Sequence, residues 1–174
     1  MKKPIHLYIF VVLSGIASVW RVIGAFSSSP NAAQQLAQQQ AVAGVATEAE
    51  LLAIYEPLLA FQTGIVQKIF GIVLLLLVVG AAVFLLQKKN ELASYVYMGY
   101  LFGTLLMATY TFIVTRGLFS QFANETIRSI MTGTVLGSYI LSVVLFAIYF
   151  GLTVFFLLRK PKETPNLTPN ATDI

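Results

Sequence analysis

From Ile69 to Leu86 the chain runs for eighteen residues without one side chain able to form a hydrogen bond. As an α-helix that stretch is about 27 Å long, close to the ~30 Å of a bilayer's hydrocarbon core. In lipid an isolated segment must satisfy its own backbone polar groups. A membrane-spanning helix is the expectation.

Composition extends that reading to the whole chain. An ordinary soluble domain carries roughly 25 % charged residues, whereas these 174 residues carry 10 % and have a mean hydropathy of +0.81. Three further segments are long and apolar enough to cross a bilayer. The expected spans are about 5–26, 64–86, 92–115 and 130–158. The fourth is long enough to require tilt or a turn standing clear of the membrane. Met1-Lys2-Lys3 before an apolar run is how a signal peptide begins. The run continues past Trp20 and Arg21 with no clear small-x-small cleavage site before Ser27. The first span is therefore expected to be retained. The fold class is all-α: an integral membrane four-helix bundle with an amphipathic helical outer segment between the first two spans.

Basic residues set the expected orientation. Lys2, Lys3, Lys88, Lys89, Arg159, Lys160 and Lys162 fall on one side of a four-span chain. Only Arg21, Lys68, Arg116 and Arg128 fall toward the other, so the positive-inside rule places both termini in the cytoplasm. Residues 159–174, rich in Pro, Asn and Thr, read as a disordered cytoplasmic tail. The +4 net charge is thus topological, and no nucleic acid is expected as a partner. The bilayer itself is one, with a membrane-protein partner or self-association beside it. Four spans with a longer first outer loop superficially resemble animal tetraspan proteins, but those carry extracellular cysteines and this chain has none. The absence of cysteine, the short turns and the Asn/Thr-rich tail suggest a bacterial plasma membrane.

The outer segment, about 30–61, contains two helix starts. Ser29 before Pro30 fits a serine cap with proline at the first helical position. Thr47-Glu48-Ala49-Glu50 fits a capping box, and Leu51, Leu52, Tyr55, Leu58 and Leu59 follow at helical spacing. Pro57 is expected to kink this helix or to start a fresh one leading into the second span. Its apolar face is expected to lie on the ends of the spans or at the lipid interface.

Small residues four apart let helices approach closely in lipid. Gly99 and Gly103 of span three, and Gly133, Gly137, Ala147 and Gly151 of span four, are the expected contact between those spans. Ser14, Ser18 and Arg21 share an arc of span one, and Gly64, Lys68 and Gly71 an arc of span two. Arg21 and Lys68 either snorkel to the headgroups or form a polar cluster or anionic-ligand site with Glu56 or Glu125.

Chemistry-bearing patterns are few. One histidine, His6, and no cysteine leave no His/Cys metal set. No Asp, Glu or His lies in the middle of a span, where proton relays and coupled transporters usually place one. No phosphate loop, dinucleotide fingerprint or hydrolytic constellation occurs. The expectation is a protein that is not an enzyme and carries no cofactor or metal, acting as an accessory or stabilising subunit of a larger membrane complex. A binder or carrier of a lipid or small amphiphile, in a cavity between spans one, two and four, is the alternative. An immunity or resistance protein is the third.

The cysteine-free chain makes its topology directly measurable. Gln38→Cys and Ser120→Cys should react with an impermeant thiol reagent in intact cells, and Asn90→Cys should not. The opposite labelling pattern would reverse the orientation.

Overall fold

Each long apolar run forms a helix, in which a continuous segment bonds its own N–H and C=O groups. The computed structural model describes residues 5–27, 31–41, 47–121 and 124–158, the side chains from 39 to 41 excepted. The described residues form six helices and no strand: α1 (Ile5–Phe26), α2 (Ala32–Ala41), α3 (Glu48–Gln62), α4 (Ile65–Leu86), α5 (Asn90–Phe119) and α6 (Glu125–Leu158). Of these, α1, α4, α5 and α6 are long and apolar enough to cross a membrane. Residues 159–174, read from sequence as a disordered tail, lie outside the described residues, as do Ser29 and Pro30.

Helix lengths shape the molecule. α1 and α4 have 22 residues each, about 33 Å at 1.5 Å per residue. α5 and α6 have 30 and 34, about 45 and 51 Å. Both outrun the expected spans because hydropathy stops at Arg116, Glu125 and Arg128, whereas backbone hydrogen bonding continues through them. α4 and α5 are joined by a tight turn in which the Lys88 N–H donates to the Leu85 carbonyl (3.0 Å) and the Lys89 N–H to that of Phe84 (2.9 Å). This is the Schellman pattern, with Lys88 rather than glycine in the left-handed position (φ 62°). Because α4 and α5 start level at this turn, the surplus length of α5 projects at the opposite end, where α3 packs.

Two helices occupy the segment between α1 and α4. α3 begins with the capping box its sequence predicts: the Thr47 hydroxyl accepts from the Glu50 N–H (3.4 Å), and the Glu50 carboxylate accepts from the Thr47 N–H (3.0 Å). The Thr47 N–H and the Thr47 hydroxyl, which donates to the same carboxylate at 2.8 Å, hold the Glu50 pKa below its ordinary 4.5, so the cap is complete at neutral pH and weakens as acid titrates through the lowered value. Pro57 starts no fresh helix; α3 continues through it to Gln62. The corner into α4 comes instead at Thr63-Gly64. There a Cβ on residue 64 would stand 3.1 Å from the Phe61 carbonyl oxygen, so glycine is the residue that fits. Leu51 and Tyr55 of α3 are buried with Ala37 of α2. Ile54 is buried with Phe119 and Ile127, on the projecting ends of α5 and α6. The apolar face of α3 is thus covered within the chain.

The main core joins α1, α4 and α5 through Leu7, Val11, Leu74, Val78, Leu85, Tyr97, Leu101 and Met107. Tyr97 has no exposed surface. Its hydroxyl lies 3.0 Å from Ser14 Oγ, and that of Tyr100 lies 3.1 Å from Ser18 Oγ. Two phenols of α5 are therefore tied to two serines of α1. Tyr8 adds a third tie, its hydroxyl donating to the Leu85 carbonyl at 2.9 Å.

The expected glycine seam between α5 and α6 does not form. Gly103 faces α4, where a Cβ would meet Leu74 Cδ2 at 2.7 Å, and Gly99, Gly133, Gly137 and Gly151 have no neighbour within 4 Å of theirs. Ala147 is exposed. α5 and α6 meet through rings instead: Phe102 with Phe146 and Phe150 (centroids 5.3 and 5.2 Å), and Phe112 with Tyr139 (4.6 Å). At 100° per residue, Tyr139 and Phe146 lie about opposite Gly137, so packing on the rings turns the glycines away. Rings in contact offer more dispersion attraction than a glycine groove.

Replacing Tyr97 tests the tie. Tyr97→Phe should lose about 0.6–1.7 kcal/mol, the range of interhelical hydrogen bonds in lipid, and Tyr97→Ala about 3–5. Equilibrium unfolding in mixed micelles measures both. A phenylalanine variant as stable as the parent would show that the hydroxyl pair contributes nothing.

Candidate functional site

Contacts between α1 and α6 differ sharply between their two ends. Near the start of α1, the His6 ring stacks on Phe156 with centroids 3.8 Å apart, and Phe10 meets Tyr149 edge-on at 4.8 Å. Along their length, α1 packs on α4, α4 on α5 and α5 on α6, while α1 and α6 share no extended packing. Toward the α3 end a cavity of about 600 Å³ stands between them. That size is typical of small-molecule sites, roughly 300–1,000 Å³.

Each wall has a distinct chemistry. α1 contributes Trp20, Arg21, Gly24 and Ala25, and α3 covers the top with Leu58 and Gln62. α5 supplies Met107, Phe112, Thr111 and Thr115, and Gln67 of α4 donates to the Thr111 hydroxyl at 3.4 Å. α6 supplies Met131 and Val135 beside a ladder of hydroxyls, Thr134, Ser138 and Ser142, with Tyr139. From Met131 to Ser142 the cavity follows α6 for about 16 Å. A serine or threonine in a helix donates readily to the carbonyl four residues back, and these three do so at 2.9 Å each. Thr115 does the same to Thr111 at 2.6 Å. Such hydroxyls keep lone pairs facing the cavity and have no proton left to give.

The four residues singled out from sequence as a polar cluster are not brought together. Arg21 lines the cavity and is exposed. Lys68 lies outside the lining, its Nζ 5.2 Å from the Phe26 ring centroid. Glu125 pairs with Arg128 on its own helix at 3.3 Å, and Glu56 is exposed on α3. Among the described residues neither Arg21 nor Lys68 has a carboxylate within 4.0 Å. Glu125 and Arg128 line a second, shallower groove of about 560 Å³ with Arg116 and Ser120. His6 lies against the rings of Phe10 and Phe156, far along α1 from either space.

Several residues of the cavity were not singled out beforehand. Thr134, Ser138 and Ser142 recur every four residues inside an apolar helix, a signal that was there to find. Gln62 and Gln67 carry no comparable pattern; only the α3–α4 corner brings them to the same space.

Fold and cavity together define an all-helical protein with four helices of membrane-crossing length and apolarity. The chain belongs to the family described as Domain of unknown function (DUF8777), whose model matches residues 1–166. No curated protein and no solved structure matches it.

With no carboxylate beside it, Arg21 should be replaceable. Arg21→Leu is expected to shift unfolding in detergent by less than about 1 kcal/mol, as for an exposed charge, and Glu56→Gln should change nothing further. A loss of about 3–5 kcal/mol, the cost of breaking a buried pair, would mean that Arg21 has an anionic partner within the protein.

Proposed function

We propose that this chain is a multi-pass protein of a cell membrane, its four long helices crossing as a bundle, with both termini and the Lys88–Lys89 turn cytoplasmic. Its work is to bind a lipid or small amphiphile, without catalysis, in the cavity between α1, α5 and α6. The cavity carries this reading. It lies between two helices that are joined at one end and separated at the other, and its lining mixes rings and aliphatic side chains with Arg21, glutamine amides and hydroxyls. That mixture suits a molecule with a polar head and an apolar body. The site differs from the one anticipated beside α4, since Lys68 takes no part in the lining.

A second reading, an accessory subunit of a membrane complex, is favoured by α6. Among the described residues only Ile127 and Thr153 of its 34 are buried, and Gly133, Gly137 and Gly151 face open space. A partner membrane protein or a second copy could lie along that face. The two readings are compatible: one concerns the inside of the bundle, the other its back. Nothing in the geometry favours the immunity reading.

Filling the cavity tests the first reading. The parent protein, purified in mild detergent and weighed intact by native mass spectrometry, should retain an amphiphile in about equal number. Ser138→Trp should lose it while keeping its helical circular dichroism and a monodisperse elution profile. A parent that retains nothing, or a tryptophan variant that retains as much, would remove this function. Gly137→Leu, at a position outside the lining where a Cβ meets no neighbour, should leave retention unchanged.

A further inference from the structure

We infer that the cavity selects a lipid whose headgroup combines one anionic oxygen centre with hydroxyl donors, as a phosphoglycerol headgroup does. The inference rests on the amphiphile-binding reading and adds the chemistry of the head.

The argument begins with protons. Thr134, Ser138 and Ser142 have each given theirs to the carbonyl one turn back. Thr109 gives its own to Leu105 (2.9 Å), which leaves the Tyr139 hydroxyl to donate to Thr109 across 3.3 Å. The α6 wall therefore accepts hydrogen bonds and gives none. A polar ligand group lying there must be a donor, because an oxygen without a proton would set lone pair against lone pair.

The facing wall has the opposite character. Arg21 carries five N–H donors and no acceptor, and Gln62 lines the same cavity with an amide that can both donate and accept. Among the described residues no Asp or Glu lines the cavity, so the Arg21 charge is unmatched from within. Attraction of an anion is strengthened where water is thinned by apolar surroundings. A phosphate can engage guanidinium through two parallel hydrogen bonds.

One headgroup must satisfy both walls. Phosphocholine offers the anion but no donor. Diacylglycerol offers a donor but no anion. Phosphoethanolamine has both, yet its ammonium leaves the Arg21 charge uncancelled in the sum. Phosphoglycerol has a single negative charge for Arg21 and two hydroxyls for the α6 ladder. The acyl chains leave between α1 and α6 past Trp20, which is 78 % exposed beside the opening. An indole, apolar over most of its surface with one N–H, suits that boundary.

Trp20 is the chain's one tryptophan, so its fluorescence reports occupancy. The full chain, delipidated and held in neutral detergent, is titrated with phosphatidylglycerol, phosphatidylethanolamine, phosphatidylcholine, diacylglycerol and soluble glycerol phosphate. Phosphatidylglycerol should bind at least tenfold more tightly than phosphatidylcholine or diacylglycerol, with phosphatidylethanolamine between. Arg21→Gln should erase the advantage over diacylglycerol, and Arg21→Lys should keep most of it. The double change Ser138→Ala with Ser142→Ala should erase the advantage over phosphatidylcholine while leaving that over diacylglycerol. This second variant carries the test on its own if Arg21→Gln fails to fold. Equal binding of phosphatidylglycerol and phosphatidylcholine to the parent overturns the inference while leaving the cavity as an amphiphile site. Glycerol phosphate binding as tightly as the lipid overturns the lipid source. A parent that takes up none of the lipids removes the underlying reading as well.

Discussion

The placement of α1 rests on its packing against α4 and on hydroxyl bonds that tie it to α5. Helices this apolar gain little from the hydrophobic effect when their surroundings are equally apolar, so close packing and interhelical hydrogen bonds must hold them. Tyr97 and Tyr100 reach Ser14 and Ser18 across the core, and the phenol rings stack with centroids 5.7 Å apart. Each hydroxyl satisfied this way avoids the cost of an unpaired polar group in a low-dielectric interior. Among the described residues no buried side-chain polar atom lacks a partner. The same bonds fix the rotation of α1 about its axis, which brings Arg21 and Trp20 to the cavity.

The cavity follows from an unequal closure. Aromatic contacts draw α1 and α6 together near His6 and Phe156. Toward the other end the rings along α6 are engaged with α5, at Phe112 and Tyr139, so nothing pulls α6 back onto α1. The surplus length of α5 and α6 gives α3 a platform, with Ile54 buried against Phe119 and Ile127. From that platform Leu58 and Gln62 cover the space below. A single short connector thus converts a gap between helices into a partly closed chamber.

Polar groups inside the chamber are divided by their position on the backbone. Hydroxyls on a helix in apolar surroundings turn to the preceding carbonyls, because no water competes for them. Their proton is consumed and their lone pairs remain. Arg21 has no such local partner among the described residues, whereas Gln67 gives one N–H to the Thr111 hydroxyl. The asymmetry between the two walls is therefore a consequence of residue type and helix geometry.

Much of this was determined by local sequence. The run from Ile69 to Leu86 could only be a helix of membrane-crossing length, and Thr47 with Glu50 wrote the start of α3 three residues apart. Local rules reach as far as one element, since hydropathy and capping involve neighbours within a turn or two. They did not choose between a helix continuing through Pro57 and a fresh one starting there, because a missing hydrogen bond in a helix is tolerated when tertiary contacts hold both sides. They pointed to the glycine face of α6, whereas the rings of α5 turned its aromatic face inward. Arg21 was marked from sequence by its charge, but its partners were not. Its cavity neighbours on other helices lie 37 to 121 residues further along the chain, from Leu58 to Ser142, on helices whose mutual rotation no local pattern encodes. The sequence alone determined which segments are helices and which of their side chains are chemically costly to bury; the tertiary structure alone decided which of those side chains share a space, because that depends on the packing of surfaces distant in the chain.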